Sequence, residues 1–141
     1  MDNGKVAASG YPASRGQLVW LAAHGIGSIL TLTPGSLPGE WLDGLPFEVE
    51  HLPMADHEVP RLEDLEKGAV FVQDAVKRGR PVLVHCLAGE GRTGCILGAY
   101  LIKDRMVAAA EALRTLRMIK PQFVEREQEE ALFRYASTVP S

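Results

Sequence analysis

Two kinds of apolar spacing take turns along this chain. Short apolar runs at Lys5–Ser9, Ser28–Thr33 and Pro81–His85, and the apolar–polar alternation of Phe47–Leu52, predict β-strands. Between and after them the apolar positions fall three and four apart. Leu18, Leu21 and Ala22 form one such stripe, opened by Ser14-Arg15-Gly16-Gln17 as a capping box and stopped at Gly25. Leu62, Leu65, Ala69, Val72 and Val76 form another, ended by Arg78-Gly79. Further helices are expected over Thr93–Lys103, Ala108–Ile119 and Glu125–Ala136, and Trp20 and Trp41 are expected to pack in the core or at its edge. Strands alternating with helices predict an α/β fold, a central mainly parallel sheet of about four strands flanked by helices.

Composition narrows the class. A chain of 141 residues falls within the range of a single core, so residues 1–141 are read as one domain. A hydrophobic content of 46% fills that core, and 23% charged residues cover an ordinary surface. No apolar run reaches the ~18 residues of a membrane span, and the start, Met1-Asp2-Asn3-Gly4-Lys5, has no apolar signal segment. A formal charge of −3 argues against nucleic acid as the partner. The two cysteines, Cys86 and Cys95, do not suggest a disulfide framework. Cys95 reads as core filler, and the expected setting is a reducing cytoplasm with the protein acting as a monomer, away from membranes.

The chemistry concentrates in His85-Cys86-Leu87-Ala88-Gly89-Glu90-Gly91-Arg92-Thr93-Gly94, between a buried strand and a helix. A turn there wraps backbone N–H groups around a concavity at a helix N-terminus, which binds anions. Gly89, Gly91 and Gly94 permit positive φ and close approach to the backbone. The same field favours a thiolate at Cys86, since a thiol that titrates near ~8.5 falls to roughly 3.5–7.5 in such surroundings. Arg92 brings a planar fork of donors for two phosphoryl oxygens, and Thr93 a hydroxyl within reach of the sulfur. Two other readings compete. Gly89 to Gly94 also fits a G-x-G-x-x-G turn, but the Ala-rich helical stretch Val107–Leu113 stands where a second strand and an acidic residue are required. A cysteine behind an apolar strand is, by itself, more often a small buried hydrophobe.

His-Cys, five residues and then Arg-Thr-Gly resembles the signature of the cysteine-based protein phosphatases, the tyrosine and dual-specificity group, in the compact form of prokaryotic or archaeal members. The resemblance implies a dual-specificity-phosphatase-like fold and a phosphocysteine mechanism without metal or cofactor. Cys86 is the implied nucleophile, Arg92 the phosphate ligand and Thr93 the aid to thiolate departure. Leu87, Ala88, Gly89, Glu90, Gly91 and Arg92 form the implied phosphate loop, with His85 as its brace. The implied general acid, carried on a loop upstream of the Cys, falls on Asp56 in Leu52-Pro53-Met54-Ala55-Asp56-His57-Glu58-Val59-Pro60, with Glu58 the close competitor and His57 a distant one. The segment Lys120–Glu130 is similar to the one whose Gln positions the hydrolytic water, and Gln128 aligns best, with Gln122 the alternative and a surface role on an acidic helix equally open. The substrate implied is a phosphoprotein, phosphotyrosine foremost, or a small phosphoester; Glu90 is expected to repel polyphosphorylated inositol headgroups. A phosphoprotein-binding module without turnover, and a thiol redox or arsenate-reductase-type enzyme pairing Cys86 with Cys95, are the rival functions.

Overall fold

The computed structural model describes residues 1–140. In chain order the elements are β1 (Val6–Ser9), α1 (Arg15–Ala23), β2 (Ser28–Thr31), α2 (Gly39–Leu42), β3 (Glu48–His51), α3 (Leu62–Lys77), β4 (Val82–His85), α4 (Gly91–Arg105), α5 (Ala109–Ile119) and α6 (Glu129–Thr138). The four strands form one parallel sheet in the order β1-β4-β2-β3, so the α/β expectation holds. The boundaries differ from the expected ones by a few residues. Arg126–Gln128 forms a separate 3-10 turn rather than the first turn of a longer α6, and α2 has too few apolar positions to announce itself.

The two central strands, β2 and β4, are buried on both faces, which explains their apolar runs, while the edge strand β3 is largely exposed. Val82, Val84 and Leu30 point into the larger core, under α3 to α6. Leu83 and Ile29 point the other way, against Leu18 of α1 and Leu37. α4 runs through the middle of the larger layer and is buried without a break from Gly91 to Ile102. Two local expectations fail. Ser14 precedes α1 but makes no side-chain cap; Gln17 Oε1 instead accepts from the Ala13 amide at 2.7 Å. Trp41 packs against the smaller core, whereas Trp20 is 58% exposed and stacks on His24 at the surface.

The parallel register does the positioning. Ser9 pairs with His85, His85 with Thr31, and Thr31 with His51, so all four strands end in one row. The chain leaves that row through four loops on the same edge, which is where α/β sheets build ligand sites.

Candidate active site

The loop after β4 folds back over Cys86. Gly89 sits at φ 75°, and a Cβ there would lie 2.5 Å from the Ser9 carbonyl carbon, so only glycine fits. Gly91 and Gly94 are absent from the positive-φ positions; their lack of a side chain serves packing instead, with Glu125 and Gln128 pressed against Gly91 and Val124 against Gly94. α4 then starts at Gly91, two residues before Thr93.

This geometry aims two donors at one sulfur. The Gly89 amide donates to Cys86 Sγ at 3.2 Å and the Thr93 hydroxyl donates at 3.1 Å. Burial opposes ionisation of the thiol, yet the Thr93 hydroxyl and the amides of Thr93, Gly89 and Glu90 outweigh it and draw Cys86 below its ordinary range. Cys95 has no such donors. Burial pushes its thiol up to about 12, and neither cysteine is bonded to another.

Arg92 is 3% exposed, and Nη1 donates to the Met54 carbonyl at 3.0 Å. Its Nε is buried without a hydrogen-bond acceptor; Asp56 Oδ1 stands 3.6 Å away, a contact of charges only. A buried guanidinium donor left unspent is costly, and an anion would satisfy it. The guanidinium faces a pocket of about 410 Å³ walled by residues from all four loops: Tyr11, Thr33, Pro34, Asp56, Leu87 and Arg92 among them. Asp56 therefore lines this pocket, whereas Glu58 lines another concavity with Pro53, Val59 and Asp64.

His85 joins the strands rather than reaching the pocket. Its Nε2 meets Thr31 Oγ1 at 2.9 Å, and the Tyr11 ring stands edge-on to it at 5.6 Å. Burial holds its pKa at about 4, so the ring is neutral at neutral pH. Gln128 is fully buried, which removes the reading as a surface side chain. Its Oε1 accepts from the Glu125 amide at 3.0 Å and its Nε2 donates to the Glu58 carbonyl at 3.3 Å. Gln122, by contrast, is exposed. Glu90 does not stand alone as a negative charge: Lys120 Nζ approaches its carboxylate to 3.7 Å, which weakens the expected repulsion of anionic headgroups.

Sequence reasoning missed two members of this assembly. Tyr11 walls the pocket and its amide donates to the Leu87 carbonyl at 3.0 Å, and Glu125 meets His57 Nδ1 at 2.9 Å. Neither belongs to a local motif, and each partner lies 68 or more residues away in the chain. Ligand atoms of Asp56, His57 and Glu125 lie within 4.8 Å of one another, close enough to share a cation, but the two carboxylates already face the two ring nitrogens. Among the described residues no helix is long and apolar enough to cross a membrane.

Comparison with known proteins identifies the family. Residues 13–138 match the family described as "Dual specificity phosphatase, catalytic domain". The chain is 36% identical over 87 residues to the tyrosine-protein phosphatase CDC14 of Candida albicans, covering 60% of this chain and 16% of that protein. It is 30% identical over 108 residues to the phosphatidylglycerophosphate phosphatase PTPMT2 of Arabidopsis thaliana, covering 70% of this chain and 45% of that one. The crystal structure of Tk-PTP in its active form superposes with a TM-score of 0.86 at 31% identity, covering 96% of this chain and 94% of that chain. The chain thus spans only part of the curated relatives it matches, but nearly all of a solved phosphatase. It belongs to the dual-specificity phosphatase family of protein-tyrosine and dual-specificity phosphatases.

Proposed function

We propose that this domain hydrolyses phosphomonoesters of proteins, phosphotyrosine foremost, through a phosphocysteine on Cys86. The observation that carries the reading is the pair of hydrogen bonds converging on Cys86 Sγ, donors that favour the thiolate a nucleophile needs. The thiolate attacks phosphorus and forms the S–P bond while the P–O bond to the leaving group breaks. Asp56, which lines a pocket with Arg92 and Leu87, gives its proton to that oxygen. The free donors of Arg92 and the amides of residues 87–92 hold the equatorial oxygens as charge spreads over them. Water then attacks phosphorus, its proton returns to Asp56, and the S–P bond breaks with the Thr93 hydroxyl stabilising the departing sulfur. His85 braces the loop from beneath, and Gln128 positions the segment before α6 and, through it, the water. Every group invoked comes from one chain, and neither metal nor cofactor is required. A thiolate nucleophile implies a reducing compartment such as the cytoplasm.

Apolar walls at Tyr11, Pro34 and Leu87 favour an aryl ring above the phosphate. The Glu90–Lys120 pair supports a second reading, a phospholipid headgroup, in line with the name of the Arabidopsis relative. The test is phosphate release from matched phosphotyrosine, phosphoserine and phosphothreonine peptides and from phosphatidylglycerophosphate in mixed micelles. The phosphotyrosine peptide is expected to turn over fastest, insensitive to EDTA and lost in Cys86→Ser; preferred turnover of the lipid would replace the protein substrate, and an active Cys86→Ser enzyme would end the mechanism.

A further inference from the structure

The acid-bearing loop is tied down at both ends. At one end the Met54 amide donates to the Leu32 carbonyl at 2.9 Å, and the Met54 carbonyl accepts from Arg92. At the other the Glu58 carbonyl accepts from Gln128. Between these anchors the tip, Ala55-Asp56-His57, makes no backbone hydrogen bond to the rest of the molecule among the described residues. What holds the tip is the His57 side chain. Its Nδ1 lies 2.9 Å from Glu125 Oε2 and its Nε2 lies 3.3 Å from Asp56 Oδ2. The Asp56 side chain also accepts from the His57 amide at 3.0 Å.

The Nδ1 contact is a hydrogen bond, which a neutral ring also makes, and the Nε2 approach to Asp56 is a contact of charges only; the doubly protonated imidazolium alone is attracted to both carboxylates at once. His57 also sits at φ 60°, a left-handed conformation that an ordinary side chain adopts at a cost, so the tip needs an external hold to keep its shape.

We propose that His57 is a positioning residue, a proton-dependent latch that pins the Asp56 loop against Glu125 and so holds the acid at the pocket it shares with Arg92. The inference rests on Asp56 being the general acid. The groups facing His57 are Asp56 on its own loop, Glu125 and Glu127 on the segment before α6, and, from α4, the Arg92 guanidinium through Asp56. The balance is acidic. The Glu125 hydrogen bond first, then the charges of Asp56 and Glu125, raise the His57 pKa above its ordinary 6.5. A raised imidazole pKa means that the latch is closed below about pH 6.5 and released as pH climbs through the raised value. Because the contact with Glu125 is the larger contribution, the latch survives protonation of Asp56, the form in which that residue acts as an acid.

The test compares kcat and KM for phenyl phosphate, whose leaving group needs a proton, with those for p-nitrophenyl phosphate, whose leaving group hardly does, from about pH 5 to pH 8. Variants are His57→Asn, Glu125→Gln, the double variant and Asp56→Asn. Asn tolerates positive φ, and Gln at position 125 keeps an acceptor near Gly91, so both chains are expected to fold; unfolding midpoints within a few degrees of wild type confirm it. His57→Asn should lower kcat on phenyl phosphate roughly three- to tenfold at about pH 5.5, with KM and the rate of Cys86 alkylation by iodoacetate unchanged, and the deficit should close toward pH 8. Glu125→Gln should do the same, and the double variant should be no worse than the worse single one. A deficit equal at every pH, or effects that multiply in the double variant, would overturn the latch. If Asp56→Asn is inactive on phenyl phosphate while His57→Asn keeps the wild-type profile, the latch alone fails. If Asp56→Asn turns over phenyl phosphate like wild type, the acid assignment fails, and the latch with it.

Discussion

The two loops that meet at the pocket are built on opposite principles. In the loop from Cys86 to Thr93 the side chains of Cys86, Arg92 and Thr93 are sealed in, at 2%, 3% and 0% exposure, while Leu87 stands 64% exposed at the rim, and the loop is fixed by the strand before it and the helix after it. The loop from Pro53 to Pro60 lies at the surface, its Asp56 and His57 side chains 43% and 72% exposed, and its tip is held by side chains reaching across from other elements. The difference has a chemical reason. Stabilising charge on a transferring phosphoryl group works through donors that need no rearrangement. Delivering a proton to a leaving group requires a residue that water and substrate can reach, on a loop that admits both.

Breaking the exposed loop at Asp56, the proposed acid, should show the largest effect. Asp56→Asn is expected to lower kcat by 10²–10⁴-fold while Cys86 alkylation keeps its wild-type pH profile, which single-turnover and iodoacetate kinetics measure separately. If alkylation shifts as well, the two loops are not independent. Arg92→Lys tests the sealed loop: it loses the fork and the bond to the Met54 carbonyl, so kcat/KM should fall about 10²–10³-fold. Because that bond also ties the two loops together, a larger loss on phenyl phosphate than on p-nitrophenyl phosphate would show the acid displaced too.

A third test reads the buried floor of the site through stability. His85 has a folded pKa of about 4 against an ordinary 6.5, so at pH 7 it is neutral in both states. Below 6.5 the unfolded chain takes up the proton first, and the folded state loses stability as pH falls toward 4. By pH 5 that loss amounts to roughly 2 kcal/mol, which His85→Asn should remove from the difference between urea unfolding at pH 7 and at pH 5. An unchanged difference would mean that the ring is wetter than its burial implies. The smallest effect is expected from Thr93→Val, which removes one donor to Cys86 Sγ. Breakdown of the phosphoenzyme should slow about tenfold, and the pH midpoint of Cys86 alkylation should rise, seen by rapid quench and by iodoacetate.

Legibility followed chain distance. Four strands and the main helices could be read from apolar spacing, because burial on one face or both imposes that spacing wherever the element lies. The candidate nucleophile loop was legible because Cys86, Gly89, Arg92 and Thr93 stand within one turn, leaving their spacing in the sequence. Asp56 was singled out through its place between two prolines and the resemblance it completed, with Glu58 the close competitor; in the fold the two line different concavities. Gln128 could be aligned but not placed, since a Gln among glutamates gives no hint that it is fully buried.

What the chain determines by itself is local: which segments are strands and helices, and that one loop carries a thiol, a guanidinium and a hydroxyl suited to a phosphoryl group. What the tertiary structure alone decides is which distant residues complete that loop. Parallel pairing sets Ser9, His85, Thr31 and His51 in one row, and from it Tyr11, Pro34 and Asp56 converge on Arg92. The meeting of His57 with Glu125, 68 positions apart, belongs to the same class. No short-range pattern encodes such contacts, because they follow from how the strands stack and where their loops emerge, not from the residues that happen to be neighbours in the chain.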